Sequence, residues 1–340
     1  MLTRRHSCSA LLGALAGFGS GWAARPALAL DYPTRTVHIV VPFLASGGTD
    51  ILARLAANRL AERWRRPCVV DNMPGGSGGI ATRAVMRAAP DGYTLLMAST
   101  GALLAAASGP DGSPADDFDI TKLLAPIALL AAPPYVVTVN PAVPARSVAT
   151  LVDLARARQA RGEPLRYGSS GAGAASHLIA VLFAKETGVT LTHVPYQGTG
   201  EAMQELLSGR IDLLFAPPQT VRPVVDAGRL VPVALTGATR SPLFARVPTL
   251  AEAGIAGFDS VGWFGLLAPR HTPDDIVARL ESEVTAVLAE PAVLTRLAEL
   301  GAEPQPITGT AFARFINTDI ARWTPLMRDA GIVPAGGPRR

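Results

Sequence analysis

The chain has 340 residues, 49% of them hydrophobic and 17% charged, with 31 basic against 27 acidic residues and a formal charge of +4. That is more chain than one ordinary hydrophobic core takes up, and the composition excludes a disordered or disulfide-framed protein, so a two-lobed α/β protein is expected. The excess positive charge sits in the first thirty residues, which removes the case for nucleic acid or an anionic membrane as partner.

Arg4 and Arg5 open the chain, Ser9 to Trp22 is small and apolar, and Ala27-Leu28-Ala29 is an A-x-A signal. Residues 1–29 therefore read as an export segment cleaved after Ala29, which makes the mature protein periplasmic. A buried N-terminal helix is the alternative, and Pro26 with the small residues argues against it. The arginine pair resembles a twin-arginine signal. Cleavage removes Arg4, Arg5 and Arg25 and no acid, so 31 basic residues fall to 28 against 27. No later apolar run reaches the ~18 residues of a membrane span. Of two cysteines only Cys68 remains, opening an apolar run after Pro67, where it reads as a buried thiol.

Strand and helix patterns then alternate. Val37 to Phe43 is a continuous apolar run, as in a strand covered on both faces. Gly47-Gly48 breaks it, and from Asp50 the residues Ile51, Leu52, Leu55, Ala56 and Leu60 repeat at helical spacing. A strand at Cys68 to Val70, a loop at Pro74 to Gly79, a helix from Ile80 to Ala89 and a strand from Tyr93 to Ser99 follow. Two right-handed crossovers result, and with them a parallel sheet.

The pattern restarts after Pro133-Pro134. Strands are expected at Tyr135 to Asn140, Leu165 to Ser169, Leu191 to Pro195, Asp212 to Phe215 and Val231 to Thr236. Helices are expected from Ser147, over Ser176 to Thr187 and over Gly200 to Ser208. A strand at Gly262 to Leu267 and helices at Pro273 to Ala289 and Gly309 to Asp329 complete the chain. The economical division is a discontinuous first lobe, 30–132 with 237–340, and a second lobe, 133–236.

Four loops rich in glycine or hydroxyls link strands to helices: Ser46 to Asp50, Gly75 to Gly79, Ser99 to Gly101 and Ser169 to Ser176. Ligands of open parallel sheets sit beyond the carboxyl ends of the strands, where helix starts offer free N–H groups and partial positive charge. None of the four loops contains Lys or Arg. Such loops suit a carboxylate that must be released again; a polyphosphate recruits Lys or Arg. Gly turns and a dipole-seated Asp50 are the bland alternatives.

Enzyme patterns fare worse. Gly75 to Gly79 formally matches G-x-S-x-G, but Asp71 to Pro74 separates it from its strand. Gly168, Gly171 and Gly173 lack dinucleotide-loop spacing. His38, His177, His193 and His271 are scattered without metal-ligand spacing, so neither metal nor cofactor is expected.

The residues also resemble a known family. Tyr32-Pro33 with IVVPFLASGGTD at 39–50, Val70-Asp71-Asn72 with Pro74-Gly75-Gly76, and APDGYTLL at 89–96 carry the resemblance. So do Tyr167 to Gly171, His193-Val194-Pro195-Tyr196, VPTLAEAG at 247–254 and WFGLLAP at 263–269. Together they resemble the tripartite tricarboxylate transporter receptors, the TctC or Bug family. The resemblance implies a type II periplasmic binding protein fold, two α/β lobes with mostly parallel sheets and crossover strands. It implies a monomeric solute receptor, not an enzyme, that presents a small carboxylate to membrane permease subunits or to a sensor.

By position the ligand site implied is Phe43, Ser46, Gly47, Gly48 and Asp50 of the first loop, with Ser169, Ser170, Gly171, Ala172 and Ser176 of the second. Ser99, Thr100 and Thr199 lie near. Three departures from the family pattern bear on ligand identity. Ser46 adds a hydroxyl to the anion site, Ala216 removes an acceptor for a ligand amine, and 101–119 lacks the usual pattern of one pocket wall. A serine hydrolase using Ser77 or Ser170 and an adaptor for a signalling partner are the competing readings.

Overall fold

The structure, a computed structural model, describes residues 31–108, 118–302 and 304–332. The export segment lies outside these residues, as do 109–117 of the expected pocket wall.

The first unit runs β1 (Val37–Val41), α1 (Gly48–Trp64), β2 (Cys68–Asn72), α2 (Gly79–Met86), β3 (Thr94–Ala98), α3 (Thr100–Ala107) and β4 (Leu124–Ala131). The second runs β5 (Val136–Val139), α4 (Val148–Ala160), β6 (Leu165–Ser169), α5 (Ala175–Thr187), β7 (Leu191–Pro195), α6 (Thr199–Leu207), β8 (Leu213–Ala216), α7 (Pro218–Asp226) and β9 (Val231–Leu235). The chain ends on β10 (Phe264–Pro269), α8 (Asp274–Leu288), α9 (Pro291–Leu300) and α10 (Gly309–Asp329).

These strands form two five-stranded sheets, ordered β2-β1-β3-β10-β4 and β7-β6-β8-β5-β9. The two orders are one arrangement made twice. In each, the opposed strand, β10 or β5, lies between strands that share a direction. Each opposed strand is also the first that the chain makes after crossing from the other lobe, so the lobes exchange strands. The central strands VHIVV, TLLMA and LLFA are almost wholly buried, as strands covered by helices on both faces must be. Cys68 opens β2, and burial pushes its thiol up to about 12, an inert group.

The two crossings meet at Thr236, which has no exposed surface. Its hydroxyl accepts the Tyr135 N–H at 2.8 Å and donates to the Ser260 carbonyl at 2.6 Å. Its own N–H donates to the Tyr135 carbonyl at 2.9 Å, and the Ser260 N–H returns to the Thr236 carbonyl at 2.7 Å. The ring of Tyr135 fills the place of a side chain at Gly262, where a Cβ would come within 2.2 Å of Cε1.

Four elements escape the sequence pattern. Helix α3, TGALLAAA, is apolar all round and shows no period. Strand β4 contains Pro126, tolerated because β4 is an edge strand. Helix α7 starts on Pro218 and holds Pro223, and α9 starts on Pro291. Beyond Thr236 the chain stays on the second sheet for some distance. Leu235 donates to the Pro248 carbonyl and Leu250 donates back to Leu235, while Phe244 packs with Val136 and Leu206.

Replacing Thr236 with Val keeps the shape and strands the Tyr135 N–H and the Ser260 carbonyl. Each buried unpartnered group costs about 1–3 kcal/mol. Urea unfolding of Thr236→Val is expected to lose about 2–4 kcal/mol, and Thr236→Ser far less; equal losses in the two variants would overturn the role given to the hydroxyl.

Candidate ligand-binding site

Five helices begin where the lobes meet. Their N-caps are Gly47 (α1), Ser99 (α3), Ala174 (α5), Gly198 (α6) and Pro217 (α7), and none makes a side-chain cap. Each start leaves up to four N–H groups without intrahelical partners and carries roughly half a positive charge. Of the other described α-helices, α4 starts with a full capping box of Ser147 and Thr150, while α2, α8, α9 and α10 make no side-chain cap either. The five starts named first surround an inner cavity of about 20 Å³, room for one water-sized group. Its walls are Gly47, Gly48 and Thr49 of α1, Ser99, Ala174 and Ala175, Thr199 and Pro217, with Phe43, Tyr135, Ser170 and Phe264. Burial pushes the Tyr135 phenol up, so it stays a hydroxyl.

Phe43 and Ser170 also line an outer chamber of about 350 Å³. Its other walls are Gly75 to Gly78, Gly171 and Ala172, and Pro195, Tyr196, Gln197 and Glu201. Among the described residues no Lys or Arg lines either space.

Buried polar groups hold the loops from behind. Asp50 accepts the Ser46 N–H, Arg54 Nε and Asn72 Nδ2, each at 3.0 Å. Burial pushes its carboxyl up, but those bonds outweigh burial and hold it below its ordinary value. Asn72 also donates to the Phe43 carbonyl at 3.0 Å. Under the second loop, His177 and His193 stack with centroids 3.8 Å apart. His177 Nδ1 accepts the Gly173 N–H at 3.0 Å. His193 Nε2 meets the Ser169 hydroxyl at 2.6 Å, and that oxygen accepts the Gly171 N–H at 3.1 Å. Burial and the neighbouring His193 lower His177 to about 3, and burial lowers His193 to about 4.

A third support stands under α3. Asp319 is enclosed by α3, the approach to β10 and its own α10. It accepts Thr100 Oγ1 at 2.8 Å, Trp263 Nε1 at 2.7 Å and Trp323 Nε1 at 2.9 Å. Burial nevertheless raises its carboxyl above the ordinary value.

Of the residues expected in the site, Phe43, Gly47, Gly48, Ser99, Ser170, Gly171, Ala172 and Thr199 line the two spaces. Five do not. Ser46 sits exposed with φ +69°, turning away from the cavities, and offers its N–H to Asp50. Asp50 and Ser169 lie beneath their loops, and Ser176 accepts the Ser170 N–H. Thr100 is 1% exposed and spends its hydroxyl on Asp319. Ala216 is wholly buried, one residue short of the wall residue Pro217. The sequence reading omits Tyr135, Phe264, Pro195, Tyr196, Gln197 and Glu201. Tyr135 and Phe264 flank the crossings, where local pattern carries no sign of the cleft.

A serine paired with histidine invites a catalytic reading, but Ser169 has no exposed surface. Among the described residues the Ser77 hydroxyl has no hydrogen-bond partner, and that of Ser170 meets Ser176.

Neither histidine is protonated in the fold at neutral pH, whereas both take up protons in the unfolded chain near pH 6.5. Stability therefore falls as pH drops below about 6.5, by up to about 1.4 kcal/mol per unit per histidine, until the folded values are reached. Between pH 7 and pH 5, wild type is expected to lose about 2 kcal/mol more than His177→Gln in urea unfolding. Other groups, Asp319 included, contribute alike to both proteins. Equal losses would mean that His177 charges freely in the fold.

Three comparisons join this geometry. Residues 52–332 match the model of the tripartite tricarboxylate transporter family receptors. The chain is 33% identical over 308 residues to protein BugT of Bordetella pertussis, covering 91% of this chain and 93% of that one. Its fold is similar to that of Rpa4515 of R. palustris with adipate, at TM-score 0.80 and 36% identity over 89% of this chain and 99% of that one. It is also similar to the periplasmic binding protein BugD, at TM-score 0.81 and 30% identity over 89% and 99%.

Proposed function

The chain belongs to the tripartite tricarboxylate transporter receptor family, and we propose that it is a periplasmic receptor that shuts two lobes on a small carboxylate and presents it to membrane permease subunits. The observation that carries this reading is the convergence of five uncapped helix starts on one cavity without Lys or Arg. A carboxylate satisfies those N–H groups and complements the dipoles. Periplasmic residence draws on the family and on the described helices, none of which is long and apolar enough to cross a membrane.

The ligand contacts in this reading are Phe43, Gly47, Gly48, Ser99, Ser170, Gly171, Ala172 and Thr199. Ser46, Asp50, Thr100, Ser169 and Ser176 position the loops or stand outside them. The lobes are 32–132 with 262–332, and 133–261, because the segment after β9 holds to the second sheet. A hydrolase reading lacks a base beside Ser77 or Ser170.

Closure brings backbone against backbone. A Cβ at Gly101 would lie 2.4 Å from Ala174 Cα across the cleft, and one at Gly171 would lie 2.8 Å from Ser77 Oγ. Gly101→Ala therefore blocks the closed form alone. Within α3, alanine favours the helix by up to about 1 kcal/mol over glycine. The variant is expected to unfold no more easily than wild type while binding its carboxylate at least a hundredfold more weakly, and to lose the ligand-induced contraction in X-ray scattering. The ligand comes from a thermal-shift screen of carboxylates, where a hundredfold excess over Kd stabilises by about 2.7 kcal/mol. A panel without any shift, or unchanged binding by Gly101→Ala, would overturn the proposal.

A further inference from the structure

We infer that the outer chamber is a second subsite, which takes a hydrogen-bond donor such as a hydroxyl, amide or ammonium at the far end of the ligand and turns away a second carboxylate. This rests on the carboxylate reading of the inner cavity and names the class of acid.

The chamber adjoins the inner cavity at Phe43 and Ser170, which line both. With a carboxylate at the helix starts, the rest of a short acid extends into its 350 Å³, a volume in the range of small-molecule sites. The charged side chain on its wall is Glu201. One oxygen of Glu201 accepts the Gln197 N–H at 2.9 Å. A carboxylate accepts at about four positions, so Glu201, an exposed residue on the chamber wall, keeps acceptor capacity for a donor there. No cation pairs with Glu201 among the described residues. The nearby arginines are engaged elsewhere, Arg210 with Glu205 at 2.6 Å and Arg166 with Asp212 at 3.6 Å.

Glu201 lies in the first turn of α6. Its charge offsets the positive end of that helix on the chamber side, so the dipole that serves the inner anion does not serve a second one. Burial and then the carboxylates of Glu205 and Glu201 push the Tyr196 phenol up, against Arg210 and Arg166, which pull it down. Ser77 adds a polar group of another kind. It is 8% exposed, held at φ +53°, and its hydroxyl has no hydrogen-bond partner. A ligand hydroxyl meets a donor and acceptor in Ser77 and an acceptor in Glu201.

Seating the start of α6 is the plainer role of Glu201, and Glu201→Gln separates the two roles. Glutamine keeps the length and an acceptor for the Gln197 N–H while removing the charge. Calorimetric titrations would compare α,ω-dicarboxylates with ω-hydroxy and ω-amino monocarboxylates of matched length, four to eight carbons. Wild type is expected to prefer an ω-hydroxy or ω-amino acid at least tenfold over its matched dicarboxylate, and Glu201→Gln to narrow that ratio about tenfold. Gln197→Lys, which adds a cation to the wall, is expected to move the ratio the same way should Glu201→Gln fold poorly. Dicarboxylates bound as tightly as their matched acids by wild type, or a ratio unmoved by both variants, would overturn the inference and leave the carboxylate reading standing. Binding of none of the acids would overturn both.

Discussion

A helix cannot satisfy its own first N–H groups, and most helices borrow a side chain to do so. Here, among the described α-helices, α4 does, through Ser147 and Thr150; the others do not, and five of those uncapped starts meet at the cleft. The exchanged-strand fold gives each lobe the same order of strands, so the β1–α1 and β6–α5 loops face each other from equivalent places. Their first residues, Gly47-Gly48 and Ala174-Ala175, bring no side chain that competes for the N–H groups. The missing caps are thus a shared donor surface, and the fold is the means of bringing its two halves together.

Such a surface is only as good as the rigidity of its loops. Three buried polar clusters supply it, each behind a loop or helix start of the cleft. Asp50 ties the first loop to Arg54 and Asn72. The stacked histidines and Ser169 tie the second. Asp319 ties the start of α3 to two tryptophans. Low-dielectric surroundings strengthen such clusters when every member has a partner. They also explain why several polar residues expected in the site line neither space: a hydroxyl or carboxylate one turn behind a backbone donor does more by fixing that donor than by reaching past it.

The alternation of strands and helices was legible because buried strands read as apolar runs and Gly or Asp-Gly marks their ends. Helices α3 and α7 were not, since one is apolar on every face and the other carries Pro223. The glycine loops of the site were legible as loops. Which of their residues face the ligand was not, because Ser46, Thr100 and Ser176 have the same chemistry as Ser99, Ser170 and Thr199. A sequence shows that a residue is a donor; the direction in which it donates depends on partners such as Asp319, more than two hundred positions away in the chain. Tyr135 and Phe264 were hidden for a related reason, as crossing segments acquire their neighbours only when both crossings are in place.

Release matters to a receptor as much as capture, and here the two draw on the same features. A closed form held by strong cross-cleft bonds would stay closed without ligand, and a ligand shifts an equilibrium only by its difference in affinity for the two forms. The contacts that the cleft loops make with each other are of a weaker kind. Leu44 donates to the Gln197 carbonyl at 3.3 Å, and glycines 101 and 171 let backbones touch without interlocking side chains. In the proposed site an anion would bridge helix starts from both lobes and so would supply the difference that closure needs. With dipoles in place of arginines that difference stays modest, and the same helix starts that gather the ligand give it up again when a permease surface favours the open form.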